Sequence, residues 1–105
     1  MDIEAVTRGD IVVMRVNEDR IDSASAIRFR DRVSALTPPQ AKRLILDLER
    51  VGFIDSSGLG AIVGVMKTNA AQRRLELARP TQAVLGVMRL TKLDTVIPIH
   101  DRLPV

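Results

Sequence analysis

Apolar and polar positions along this chain fall into short blocks, and each block has the length and period of one structural element. Ile11-Val12-Val13-Met14-Arg15-Val16 is a β-branched run of strand length. Ile3-Glu4-Ala5-Val6-Thr7 before it alternates loosely, and Arg8-Gly9-Asp10 between them reads as a turn. The two runs are therefore expected to pair as a hairpin, with the first at an edge. Arg43 to Leu48 lacks polar alternation until its end, which predicts a strand buried on both faces and central in its sheet. Leu75-Glu76-Leu77-Ala78 alternates as a further strand. Val96-Ile97-Pro98-Ile99 is a last short one, kept at an edge by Pro98.

Between the strands the period lengthens. Asp22 or Ser23 is the expected cap of a helix running to about Ala35, with Ala26, Ile27, Phe29, Val33 and Leu36 as its apolar members. Phe29, Val33 and Leu36 are spaced four and then three apart, which makes one buried stripe, while Arg28 and Arg32 share another face. Thr37-Pro38-Pro39 ends this helix, because neither proline can donate and Pro39 disfavours a helical residue before it. Phe53 and Ile54 are expected to re-enter the core and deliver Asp55. A helix from Ser57 to about Ala70 follows, with Leu59, Ile62, Val63 and Met66 on its inner stripe. Gln82 to Leu90, capped at Thr81, forms a third. The order β-β-α-β-α-β-α-β predicts a single α/β domain: a mixed sheet of about five strands, later strands parallel, with helices packed on it.

Bulk composition narrows the function classes. A chain of 105 residues, 46% hydrophobic, suits one domain with one core. Without cysteine there is no disulfide and no thiolate metal site, and one histidine with scattered carboxylates offers no other ligand set. The net charge is +3, but signs alternate: Asp31 interrupts Arg28, Arg30 and Arg32. Phe29 and Phe53 are the only aromatic residues, which leaves little for base stacking, so direct nucleic-acid binding is not expected. Met1-Asp2-Ile3-Glu4 has no features of a secretory signal, and no apolar run approaches the ~20 residues of a membrane span. A cytoplasmic monomer is expected, without membrane contact.

The densest chemistry lies in Phe53-Ile54-Asp55-Ser56-Ser57-Gly58-Leu59-Gly60. One carboxylate and two hydroxyls sit between a strand and a helix. Asp and Ser oxygens accept from the free amides of a first helical turn, and anions are favoured at that end by open N–H groups and the macrodipole. The stretch therefore reads either as a capped helix start or as a serine that carries a phosphate in one state and not in another. Gly58 in the first turn is expected to leave the backbone open to a partner. Gly60 and Gly64, four apart, are expected to allow close approach of a neighbouring element.

Other chemistries fit less well. A Ser–His–Asp triad would need the single histidine, His100, beside Ser56 or Ser57; a tail histidine is expected to be exposed, and the Gly-x-Ser-x-Gly elbow is absent. Gly58-x-Gly60-x-x-x-Gly64 after a strand, with Glu76 on the next strand, is reminiscent of a dinucleotide fingerprint. Its third glycine comes one position late, however, and Asp55 would repel a pyrophosphate. No Gly-Lys-Ser or Gly-Lys-Thr ending marks a P-loop. No catalytic residue, cofactor or metal is assigned.

Phe53-Ile54-Asp55-Ser56-Ser57-Gly58-Leu59-Gly60 resembles the signature loop of the STAS domain of bacterial anti-sigma factor antagonists. Leu44-Ile45-Leu46-Asp47-Leu48 is similar to that family's central strand, and Leu93-Asp94 with Ile97-Pro98-Ile99-His100-Asp101 to its C-terminal end. The resemblance covers most of the chain. It implies a non-enzymatic partner-switching protein. The serine straight after the aspartate, Ser56 here with Ser57 as alternative, would be phosphorylated by a serine kinase that is also the anti-sigma factor. The dephosphorylated form would bind that kinase, and a PP2C-type phosphatase would restore it. Asp22, Asp55, Ser56, Ser57, Gly58, Leu59 and Gly60 would form the partner-binding face. The family often has Gly-Glu-Leu-Asp after the second strand, whereas this chain has Asp19-Arg20-Ile21-Asp22, which reverses a charge on a loop expected near the kinase. Lys92 stands where a glycine is usual. The alternative is a STAS-like scaffold that docks in a larger assembly and is never phosphorylated.

Overall fold

The computed structural model describes residues 1–105. Strands β1 (Ile3–Arg8) and β2 (Ile11–Val16) form the hairpin; Gly9, at φ 61°, supplies the left-handed turn residue. A two-residue strand, β3 (Arg20–Ile21), leads to helix α1 (Ala26–Leu36). Strand β4 (Arg43–Asp47) is followed by a second two-residue strand, β5 (Phe53–Ile54), and helix α2 (Ser56–Asn69). Strand β6 (Arg74–Ala78), helix α3 (Gln82–Leu90), a 3-10 turn (Leu93–Thr95) and strand β7 (Ile99–His100) complete the chain.

The main sheet has five strands in the order β1-β2-β4-β6-β7. Only the β1–β2 pair is antiparallel; the others are parallel, as crossovers through helices require. The central place expected for β4 is observed, and Leu44 to Leu48 are buried. On β2, fully buried Val12, Met14 and Val16 alternate with half-buried Ile11, Val13 and Arg15. Val12, Met14, Leu44, Leu46 and Leu77 join Phe29 and Val33 of α1 and Ile62 of α2 in one core. That core lies between the sheet and the helices.

A second, two-stranded sheet was not legible in the sequence. Strands β3 and β5 pair in parallel, Arg20 opposite Phe53 and Ile21 opposite Ile54. Only Ile21 and Ile54 face inward; Phe53, expected in the core, remains 45% exposed. Runs of two residues carry no periodicity, and only pairing across the fold stabilises them.

Several boundaries and stripes also differ. The N-cap of α1 is Ser25, not Asp22 or Ser23, and Ile27 is 75% exposed. On α2 the buried positions are Gly58, Ala61, Ile62 and Val65, while Leu59, Val63 and Met66 are only half-buried. Two small residues, Gly58 and Ala61, share that seam with Ile62 and Val65, and at Gly58 the helix backbone itself approaches its neighbour closely. The last strand is Ile99–His100 rather than Val96–Ile99; Ile97 is buried, but Val96 is exposed on the preceding turn.

Two buried carboxylates on the sheet are neutralised by pairing. Glu76 on β6 accepts from Arg43 Nε at 2.6 Å and Nη2 at 2.7 Å, and His100 Nε2 lies 2.7 Å from it. The Arg43 guanidinium, with a further contribution from His100, holds the Glu76 carboxyl below the usual range against an opposing effect of burial. His100 is therefore a half-buried partner of a core carboxylate rather than an exposed tail residue. Asp47 is paired in the same way with Arg79, whose guanidinium also reaches Glu49 at 3.0 Å. A charge between Leu75 and Leu77 was the available signal that such a partner must exist.

Candidate functional site

The site is the junction of two chain segments, Asp19–Ser23 and Gly52–Gly60. They are zipped together from one end to the other. The Gly52 N–H donates to the Asp19 carbonyl at 2.8 Å, β3 pairs with β5, and the Asp55 N–H reaches the Ile21 carbonyl at 3.4 Å. The α2 backbone then continues over β3.

Asp55 is the N-cap of α2. Its Oδ1 accepts from the Gly58 N–H at 2.9 Å, at the third helical position, and its Oδ2 accepts from the Ser23 N–H at 3.0 Å. One carboxylate thus caps its own helix and ties down the loop that leads to α1. These backbone donors, Gly58 foremost, with Ser23 and Ser57 adding, hold the Asp55 carboxyl below its ordinary range against a smaller push from desolvation. Asp55 is an anion at neutral pH, with both oxygens engaged.

Gly58 is needed for packing, which corrects the expectation that it opens the backbone to a partner. It is buried, and a Cβ there would lie 2.0 Å from the Ile21 carbonyl oxygen. Gly60 is the reverse case: it is exposed, and a Cβ would meet nothing within 4 Å. Gly64, one turn further on, lies beneath the Arg30 guanidinium of α1, so close approach of a neighbour is realised at Gly64 and not at Gly60.

The two hydroxyls are left over. Ser56 and Ser57 occupy the first two positions of α2, both are exposed, and neither side chain has a hydrogen-bond partner within the protein. Because Asp55 already serves as the cap, the serines are not consumed by it. They stand at the positive end of a helix of 14 residues with no acidic residue in its first turn. Ser56 and Gly60 are four apart and share a face, so a free hydroxyl adjoins bare backbone.

Asp22 is half-buried and works locally. Its Oδ1 accepts from the Ala24 N–H and from the Ser25 hydroxyl, both at 3.1 Å, and its Oδ2 lies 3.5 Å from Arg20 Nη1. The Arg20 guanidinium covers the Phe53 ring, 4.8 Å from its centroid. A half-exposed ring beneath a cation therefore sits on the strand that leads into the serines, an arrangement that neither residue suggested when read separately. Leu59 is half-buried beside them. Lys92, at the other end of α3, holds a left-handed conformation at φ 62°, the backbone region that favours glycine.

The arrangement can accept a group on an exposed oxygen without dismantling the helix cap. It holds no nucleophile–base pair: the single histidine is engaged by Glu76 on the sheet. No group of three or more His, Asp or Glu side chains is placed to hold a metal ion, and no helix is long and apolar enough to cross a membrane.

Comparison with known proteins places this geometry. Residues 2–104 match the model of the STAS domain. A putative anti-sigma factor antagonist from Thermotoga maritima superposes with a TM-score of 0.82 at 24% identity, over 96% of this chain and 87% of that one. The anti-sigma factor antagonist SpoIIAA in its unphosphorylated form superposes with a TM-score of 0.70 at 23% identity, over 93% and 87%. A sulfate transporter family protein from Wolinella succinogenes gives 0.76 at 18% identity, over 93% and 82%. At these identities the likeness establishes the fold, a single small α/β domain with a mixed five-stranded sheet. With the family model spanning nearly every residue, the chain belongs to the STAS domain family.

Proposed function

We propose that this protein is an anti-sigma factor antagonist of a cytoplasmic partner-switching pathway, and that the charge on Ser56 decides whether its partner is bound. The observation that carries this reading is the division of labour at the start of α2. Asp55 makes the cap, and the Ser56 hydroxyl beside it is exposed and unbonded. A cap serine would have its oxygen committed to the backbone; this one is free for a kinase.

The partner is a serine kinase that is also the anti-sigma factor. It docks on Asp22, Ser56, Ser57, Leu59 and Gly60, with Asp55 holding the two loops of that face together. In the transfer step the Ser56 oxygen attacks the γ-phosphorus of the kinase's ATP; the O–P bond forms, the bond to the β-phosphate oxygen breaks, and the serine proton leaves to a base on the kinase. The product carries roughly 1.5 to 2 negative charges. The macrodipole and open amides tolerate that charge, so the fold persists. The complex does not, because a phosphate beside the Asp55 carboxylate would have to lose its water in the interface. Moving from 99:1 bound to 1:99 takes about 5.5 kcal/mol, a scale that desolvation and like-charge repulsion reach. A PP2C-type phosphatase resets the switch. The protein itself is an interaction module and catalyses nothing.

Intact mass after incubation with the cognate kinase and ATP tests the assignment. One phosphate is expected, mapped to Ser56 and absent from Ser56→Ala; transfer to Ser57 in the unmodified chain would refute it. Ser56→Asp is expected to weaken kinase binding with little change in melting temperature. The fold is also seen in a sulfate transporter family protein, which supports a second reading as a docking scaffold that is never phosphorylated. No mass gain with any of the organism's serine kinases would favour that reading.

A further inference from the structure

Strand β1 is the outermost strand of the main sheet, and five of its six residues, Glu4 to Arg8, are exposed. It pairs with β2 over six consecutive positions without a bulge, and it contains no proline. Such an edge presents unpaired backbone groups to any second strand. We propose that β1 is a self-recognition edge, through which two copies of this protein pair antiparallel about a two-fold axis at Val6.

The register follows from hydrogen-bond parity. Opposed residues of an antiparallel pair alternate between bonded and non-bonded. The Asn17 N–H donates to the Asp2 carbonyl at 2.9 Å, so Glu4, Val6 and Arg8 turn their backbone groups towards β2. Ile3, Ala5 and Thr7 turn theirs outwards. A symmetric pair must oppose these outward residues. With Val6 on the axis, Ala5 of each copy exchanges both hydrogen bonds with Thr7 of the other. Glu4 of each copy then stands opposite Arg8 of the other, twice.

The side chains agree with that register. Ile3 is buried in the core, so its face of β1, shared with Ala5 and Thr7, is the core face. Glu4, Val6 and Arg8 project together from the opposite one. They occupy the non-bonded positions of the new ladder, where opposed side chains come closest. The 54% exposed Val6 meets its own copy, flanked by two opposite-charge pairs. Sliding the pair by two residues sets Val6 against Glu4 or against Arg8 and loses this match. Glu4 is engaged with Asn17 Nδ2 through Oε1 at 2.8 Å, which leaves Oε2 free for a partner. The edge charges are therefore of opposite sign and mutually complementary, where a protected edge would carry like charges that repel. A single strand pair buries less than the roughly 1,000 Å² of a durable interface, so the association is weak and concentration-dependent. It replaces the monomer expectation at high protein concentration.

Sedimentation equilibrium of the 105-residue chain across micromolar to millimolar concentration tests this. A monomer–dimer equilibrium that weakens with salt is expected. Glu4→Arg and Arg8→Glu should each weaken it by about tenfold, since like charges then face each other. The double variant Glu4→Arg with Arg8→Glu should restore it. Ala5→Pro removes an N–H that the monomer leaves unpaired, so it should abolish the dimer while the melting temperature of dilute protein changes little. A wild-type chain that stays monomeric throughout, or a dimer indifferent to the single reversals or not rescued by the double one, would overturn the proposal.

Discussion

Helices α1 and α2 both begin a few residues after a two-residue strand, and those two strands pair with each other. Serines sit at both starts, yet they do opposite things. At α1, Ser25 is the N-cap residue and is 8% exposed. Its hydroxyl accepts from the Asp22 N–H at 3.1 Å and donates to Asp22 Oδ1 at 3.1 Å. At α2, an aspartate takes the capping position and leaves Ser56 and Ser57 exposed with idle hydroxyls. At α1 the Ser25 hydroxyl makes no cap bond to its own helix and is spent on the Asp22 loop; at α2 the serines stay idle because another group has met the helix's capping need. Asp55 meets it at α2 and, through the Ser23 N–H, steadies the α1 entry as well.

This contrast can be broken at its strongest point first. Gly58→Ala should cost about 3 kcal/mol in denaturant unfolding, because the added Cβ meets a backbone carbonyl that cannot swing away. Unchanged stability would mean that α2 and β3 are not packed as described. Asp55→Ala should come next, lowering the melting temperature and loosening both helix starts together. Amide exchange at Ser23 and Gly58 should accelerate in that variant; acceleration at Gly58 alone would deny the bridging role. The Asp55 carboxyl has a pKa lowered from the ordinary value of 3.8. Its stabilisation is therefore fully present above that value and is lost as pH falls through the lower, folded one. The gap in melting temperature between wild type and Asp55→Ala should be constant from pH 7 to pH 5 and shrink in stronger acid.

Smaller effects sharpen the comparison. Ser25→Ala should cost about 1 kcal/mol, since it strips the part-buried Asp22 N–H of its acceptor. Gly60→Ala should instead stabilise by about 0.5 to 1 kcal/mol, as alanine fits open space in a helix better than glycine does. If partner docking uses the bare backbone there, the same change weakens binding while strengthening the fold. Ser56→Ala should shift stability by no more than about 0.5 kcal/mol, because its oxygen holds nothing in the protein. A larger loss would return Ser56 to a purely structural role.

The order of the five main-sheet strands and the three helices, the central place of β4, the cap at Thr81 and the position of Ser56 at a helix start were all readable from residue order. Periodicity and capping chemistry act between near neighbours, so a sequence displays them directly. Other features depended on segments far apart in the chain. The exposure of Phe53 under Arg20, the burial of Gly58 against Ile21, and the capture of His100 by Glu76 each join residues from separate elements. No local pattern announces which side of a two-residue strand will be covered. The sequence by itself determined that two hydroxyls and a carboxylate would stand together at a helix start. Only the tertiary structure decided which of them was spent, because an Asp55 oxygen finds its second donor, Ser23, 32 residues away in the chain.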